Sequence, residues 1–207
     1  MQAIVLTRRD FRESDQIISC YTKERGKVEL MARGVKKIIS KNSAHLEPFS
    51  LVDIEIAPGK GIDHLTKVQP INYFVNIRQD LQKSLAAGYV VSLLDKILHV
   101  GEKDERIFDL LKSWLEFVNL KSSILNLKLL DGFIVKLLNC LGYDITASGV
   151  EFRFLRDLEI MKNQDWPVIS KHITQLTEHR ELHNFIYNFL VERLERKVVD
   201  WGVEAIY

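Results

Sequence analysis

The chain has 207 residues, 46% of them hydrophobic and 28% charged, with a net charge of +1. These values are those of a soluble globular protein of one or two domains with a sizeable core. No apolar run approaches the roughly 18 residues of a membrane span, and MQAIVLTRRDF sets its apolar residues ahead of its charges, the wrong order for a signal peptide. Cys20 and Cys140 are far apart and each lies in an apolar segment, which predicts buried thiols in a reducing cytoplasm rather than a disulfide.

The charge is uneven. Residues 1–74 carry 12 basic and 9 acidic groups, a net +3, whereas residues 75–207 carry 17 and 19, a net −2. A polyanion would therefore meet the N-terminal part first. That part reads as five strands. Residues 3–7 form a short apolar run, and residues 15–22 alternate with Ile17, Ser19 and Tyr21 on one face. In residues 26–33, Val28, Leu30 and Ala32 alternate with Lys27, Glu29, Met31 and Arg33, predicting one apolar and one polar face. Residues 51–56 set Val52, Ile54 and Ile56 opposite Asp53 and Glu55. Pro58, Gly59 and Gly61 mark a turn, and residues 65–68 open the last strand. Five short strands in about 70 residues suit a small closed barrel, OB-like or SH3-like.

A basic stretch separates the third strand from the fourth. Gly34 breaks the strand, and Lys36, Lys37 and Lys41 follow beside Ser40 and Ser43. From Lys23 to Lys41 there are seven Lys or Arg against two Glu, an excess of +5. Such a patch on a small β-domain points to a polyanion partner; the competing reading is a solvated basic loop. The aromatic residues of the barrel are Phe11, Tyr21, Phe49, Tyr73 and Phe74. Phe49, flanked by Pro48 and Leu51, is expected in the core. Phe11 and Tyr21 are the expected exposed rings, on which a base could stack for roughly 1–3 kcal/mol.

Residue 76 begins a helical region. Asn76 is the expected cap, with Gln79 as its capping-box partner. Leu81, Leu85, Tyr89, Leu93 and Ile97 then recur every four residues, Val90, Leu94 and Leu98 widen the stripe, and Gly101 is the expected stop. A second helix carries Ile107, Leu110, Leu111, Trp114, Leu115 and Val118. A third, over residues 123–141, is apolar nearly all round and is expected at the centre of a bundle. Residues 143–169 are mixed, with Trp166-Pro167 read as a turn. A last helix carries Leu182, Phe185, Ile186, Phe189, Leu190, Leu194 and Val198.

No catalytic signature is present. There is no phosphate-binding glycine loop, and Gly59-Lys60-Gly61 reads as a hairpin turn. Ser40 and Ser43 lie near His45 without an elbow motif. Glu13 and Asp15 read as turn formers. His179 and His183 are four residues apart, but no third ligand is apparent, so they are expected to face solvent rather than hold a metal. Lys121, Lys128 and Lys136 read as snorkelling charges at helix ends and edges.

The order of residues adds to this. GKVELMARGVKKIISKNSAHLEPF resembles the N-terminal domain of the RecO family of bacterial recombination mediators. The matching elements are Gly26 to Val28, then Ala32, Arg33 and Gly34, then Lys36, Lys37 and Ser40, then Leu46, Pro48 and Phe49. AIVLTRRDFRESDQIISCYTKERGK is similar to the family's opening strand, acidic E-x-D turn and second strand. The resemblance is good over residues 3–74 and looser beyond. It implies an α+β protein, with a five-stranded OB-fold barrel over residues 1–75 and an all-helical domain over residues 76–207. Many relatives insert a four-cysteine zinc site after the segment resembling LLNCLGYD. Here only Cys140 is available, so no metal and no cofactor are expected.

The resemblance also implies a non-enzymatic protein of recombinational repair. It would bind single- and double-stranded DNA, anneal strands, and help load the recombinase RecA onto strands coated by single-stranded DNA-binding protein (SSB). The expected DNA-binding residues are Lys27, Arg33, Lys36, Lys37 and Lys41. The implied protein partners are RecR and the acidic C-terminal tail of SSB, with Lys121 and Lys128 as the expected rim of the tail pocket. A protein-interaction scaffold and an RNA-binding OB protein are the competing readings.

Overall fold

The computed structural model describes residues 1–36, 43–120, 128–147, 152–195 and 197–202. Alternating sequence builds five strands: β1 (Gln2–Asp10), β2 (Gln16–Thr22), β3 (Gly26–Ala32), β4 (Leu51–Ala57) and β5 (Asp63–Asn72). Antiparallel pairing joins β1 to β2, β2 to β3, β4 to β5 and β1 to β4. β3 meets β5 in parallel at Leu30–Asp63 and Met31–His64. The sheet closes in the order β1-β2-β3-β5-β4. Five strands closed by one parallel seam make an OB-fold, which settles the choice that strand count leaves open. Val5, Ile18, Val28, Leu30, Val52 and Ile54 fill the barrel. Cys20 is enclosed with them, and burial, reinforced by the charge of Asp95, pushes its thiol pKa up to about 12. It is an inert packing group, and neither it nor Cys140 forms a disulfide.

The L-x-PF segment forms part of the barrel wall. Leu46 closes a turn of 3-10 helix, Ser43–Leu46, and is buried. Phe49 adopts a left-handed backbone at φ 55° and is buried as expected, with the Arg78 guanidinium 4.3 Å from its ring centroid. Arg78 donates to Pro48 O, Ser50 Oγ and Tyr73 O at 2.8–3.0 Å, so one cation ties together both ends of the β4–β5 hairpin.

Three helices follow: α1 (Val75–Arg78), α2 (Leu81–Ile97) and α3 (Glu105–Leu120). Asn76 lies inside α1 and bonds Asn119, so it is not the cap. Asp80 caps α2 instead, accepting from Lys83 N at 3.0 Å. The buried stripe of α2 holds Val90, Leu93, Leu94 and Ile97, with Leu98 at its C-cap, as expected. It departs from expectation at its start, where Leu81 is exposed and Leu85 and Tyr89 are half-buried, because Ala86 and Ala87 take the inner face there. On α3, all six expected residues are buried.

The remaining helices are α4 (Leu129–Cys140), α5 (Phe152–Asn163), α6 (Trp166–Thr174) and α7 (His179–Leu194). α7 stops short of the expected Val198: Glu195 turns left-handed at φ 50°, and Val198 is buried beyond the helix. α4 is buried over most of its surface and packs on α5, α6 and α7, as a nearly all-round apolar helix requires; residues 123–127 of the expected helix lie outside the described residues. Gly132 lets α6 approach it, since a Cβ there would stand 2.9 Å from Ile169 Cγ2. The described part of residues 143–169 is more helical than its mixed composition suggests. Phe154, Leu158 and Met161 are the buried stripe of α5. Trp166-Pro167 starts a helix rather than a turn: Asp165 caps it and proline occupies its first turn, where the missing N–H costs nothing.

By packing, the chain divides into Met1–Asn119 and Leu120–Tyr207. The passage from strands to helices near residue 75 is therefore a change of secondary structure, while α1 and α2 pack with the barrel. Among the described residues, no helix is long and apolar enough to cross a membrane.

Candidate nucleic-acid interface

Two turns lie side by side at one end of the barrel. One is the β1–β2 turn, residues 11–15; the other follows β3, residues 33–36. Asp15 accepts Gly34 N at 2.8 Å, and Lys36 N donates to Ser14 O at 3.1 Å. Gly34 has φ 65°, the left-handed conformation that glycine accommodates without a Cβ penalty. The A-R-G turn thus exists to dock on the acidic E-x-D turn, and Asp15 is a turn former as its sequence suggested. Lys36 Nζ also reaches Asp10 at 2.7 Å. Hydrogen bonds from Gln16 and Lys36 hold the Asp10 carboxyl below its usual range.

Much of the basic charge on the barrel is already matched. Arg8 pairs with Glu47, Arg9 with Glu29, Arg25 with Asp63, Lys23 with Asp109 and Lys67 with Glu55, all at 2.8–3.0 Å. Arg33 instead faces only the His64 ring, 3.3 Å away. Arg12 lies with its guanidinium 5.1 Å from the Phe11 ring centroid. Among the described residues, neither Arg12 nor Arg33 has a carboxylate within ion-pair distance. The docked turns therefore carry positive charge that is available to an anion. Arg12 was missed by the sequence reading: it is 21 positions from Arg33, and only the fold brings their turns together. Phe11 is exposed, as expected.

Two expectations are corrected here. Lys27 is 7% exposed and does not present its charge to a nucleic acid. Its Nζ pairs with Asp95 Oδ1 at 3.0 Å and donates to the carbonyls of Asp95 and Leu98, all on or beside α2. At Lys27 the expected polar face of β3 is thus covered by the helix that follows the barrel. Gly26 belongs to the same seam, where a Cβ would stand 1.9 Å from Glu102 O. Tyr21, expected exposed, is fully buried, and its hydroxyl exchanges hydrogen bonds with Asp104 across 3.1 Å. The G-K-V motif is therefore a packing element.

Lys37, Lys41 and Lys121 lie outside the described residues. Lys128 stands at the start of α4. Lys136 donates to Lys162 O at 3.0 Å, and burial holds its pKa below the usual lysine value. His179 and His183 do not face solvent. They turn inward onto Asp131, each ring nitrogen 2.8 Å from a different carboxylate oxygen. Among the described residues, no group of three or more His, Cys, Asp or Glu is placed to hold a metal ion.

Comparison with known proteins agrees with this architecture. The sequence pattern of the family "Recombination protein O N terminal" matches residues 1–74, and that of "Recombination protein O C terminal" matches residues 78–148. The DNA repair protein RecO of Geobacter sulfurreducens is 36% identical over 156 residues, covering 73% of this chain and 63% of that protein. Those of Geobacter metallireducens and Desulforamulus reducens are 34% and 33% identical, covering 72% and 77% of this chain. The chain spans just under two thirds of the length of these relatives, which it covers to 62–63%. With the barrel and the helices after it both matched, and identity above 30% over most of its length, the chain belongs to the RecO family.

Proposed function

We propose that this chain is a non-enzymatic mediator of recombinational DNA repair whose barrel binds DNA through the two docked turns. The observation that carries the reading is the position of Arg12 and Arg33, free of carboxylate partners among the described residues, on adjoining turns of an OB barrel. Lysine and arginine that neutralise phosphates release counterions, giving affinity without sequence preference. Lys36, with Lys37 and Lys41 after it in sequence, extends the same basic stretch. The test is a titration with labelled single-stranded DNA at several salt concentrations. Replacing Arg33, Lys36, Lys37 and Lys41 together by alanine should weaken binding for all sequences. It should also flatten the salt dependence by about 0.7 per lost phosphate contact. An unchanged slope in a folded variant removes this surface from the reading. Equal or tighter binding of a matched RNA would favour an RNA-binding role, and no binding at low salt would favour a scaffold.

As a RecO-type mediator, the protein would anneal strands and help load RecA onto SSB-coated DNA, with RecR and the SSB tail as its protein partners. An acidic tail with a free carboxylate needs a small apolar pocket edged by cations. Lys121 and Lys128 are proposed as that edge, on their spacing beside apolar residues. Calorimetry with a tail peptide should show binding that weakens when the terminal carboxylate is amidated, and again on Lys121→Ala with Lys128→Ala. Equal binding in all cases would exclude the assignment.

A further inference from the structure

Among the described aromatic residues of the barrel, Phe11 is the exposed one. The residue is 46% accessible, whereas Tyr21, Phe49 and Phe74 are buried and Tyr73 is half-buried with its hydroxyl on His45. Phe11 has a fixed place. Its N–H donates to Asp15 O at 3.2 Å across the β1–β2 turn, and Asp15 in turn holds Gly34 of the neighbouring basic turn at 2.8 Å. The Arg12 guanidinium covers part of the ring from 5.1 Å.

We infer that Phe11 is a base-stacking platform that makes this surface discriminate single-stranded from duplex DNA. This rests on the proposed DNA-binding role and adds what the basic residues cannot supply. Phosphates are present on single strands and duplexes alike, so Arg12, Arg33 and Lys36 attract both. An unpaired base has a free π-face that can lie on the Phe11 ring, while the bases of a duplex are already stacked and paired. A cation beside the ring adds to the attraction, since Arg12 can face the stacked base or an adjoining phosphate. Stacking is neutral and tolerant of sequence, so it raises affinity without changing the salt dependence.

The experiment compares a labelled oligothymidine and a mixed-sequence duplex of equal length, with wild type and two variants, at several salt concentrations. Phe11→Ala should weaken single-strand binding about five- to 150-fold. It should leave the salt slope and the duplex affinity as in wild type. Phe11→Trp should retain single-strand affinity, and its added fluorescence should be quenched by oligothymidine but not by an abasic strand of equal length. A Phe11→Ala variant that binds single strands as well as wild type does, or loses both substrates equally, overturns the inference while leaving the DNA-binding role intact. If wild type binds neither DNA at low salt, both fail together. Because Phe11 is exposed, the variants should melt at the wild-type temperature, which separates a stacking loss from unfolding.

Discussion

Replacing Asp95 by alanine is expected to destabilise the barrel and the helices packed on it by about 3–5 kcal/mol, the scale for stranding one partner of a buried ion pair. Asp95 is the point at which three strands are bolted to α2. Thr7 of β1 donates to its Oδ2 at 2.8 Å, Ser19 of β2 to its Oδ1 at 2.5 Å, and Lys27 of β3 pairs with Oδ1 at 3.0 Å. Burial disfavours the charge on Asp95, but the bonds from Ser19, Thr7 and Lys27 outweigh it and hold its pKa below the usual carboxylate range. Alanine would leave the Lys27 ammonium, 9% exposed, with only the carbonyls at the end of α2. Those carbonyls, and the negative end of the helix dipole, soften the loss without cancelling it. Urea unfolding followed by circular dichroism is the measurement. Lys27→Met combined with Asp95→Ala should cost about 1–3 kcal/mol less than the separate losses added together. Additivity within about 0.5 kcal/mol would show that the pair is not coupled. In the DNA titration, Lys27→Met should keep the wild-type salt slope, because its charge is already committed within the fold.

The same residue marks where sequence reading stops. The alternation of Val28, Leu30 and Ala32 gives the strand and its inner face, because that pattern is local. The fate of the other face depends on α2, about 70 residues along, and a lysine in a basic run carries no sign that an aspartate will cover it. Tyr21 is the same case, buried by a loop more than 80 positions away. Phe11 was legible because a turn tip between two strands has little to bury it. Two helix starts were also legible and were misread. Asp80 before Leu81, and Asp165 before Trp166-Pro167, are cap signals that outrank Asn76 and a generic turn. The third ligand-like partner of His179 and His183 could not be read, because Asp131 lies 48 positions away in an apolar helix, where the pattern suggests only packing.

That aspartate predicts a pH dependence for the stability of residues 120–202. Asp131 is fully buried on α4. His183 Nδ1 and Trp201 Nε1 reach its Oδ1 at 2.8 and 2.7 Å, and His179 Nε2 reaches its Oδ2 at 2.8 Å. On its other side, His183 Nε2 lies 2.8 Å from Asp200 Oδ1, which also accepts Gly202 N at 2.8 Å. Tyr187 adds a bond to Val198 O at 3.1 Å. With a carboxylate on each nitrogen, His183 satisfies both as an imidazolium. Burial opposes that charge, but Asp131 and Asp200 outweigh it and raise the pKa above the ordinary 6.5. For Asp131, burial is likewise outweighed by bonds from His179 and His183, which lower its pKa below the ordinary 3.8. The raised histidine contributes stability that is complete below pH 6.5 and lost as pH climbs through its folded value; the lowered aspartate contributes above pH 3.8 and is lost as pH falls through its own. Stability should therefore peak between these limits and decline above neutrality. Hydrogen exchange of α4 and α7 amides, and of Trp201 Nε1–H, should show protection that falls from pH 6 to 8.5 after correction for intrinsic rates. His183→Gln should lower protection at pH 6 and remove that decline. Asp131→Ala, which strands the His183 and Trp201 donors and leaves His179 without its carboxylate, should cost about 3–5 kcal/mol. A decline that persists unchanged in His183→Gln would assign the pH dependence to another group and sink this account of the cluster.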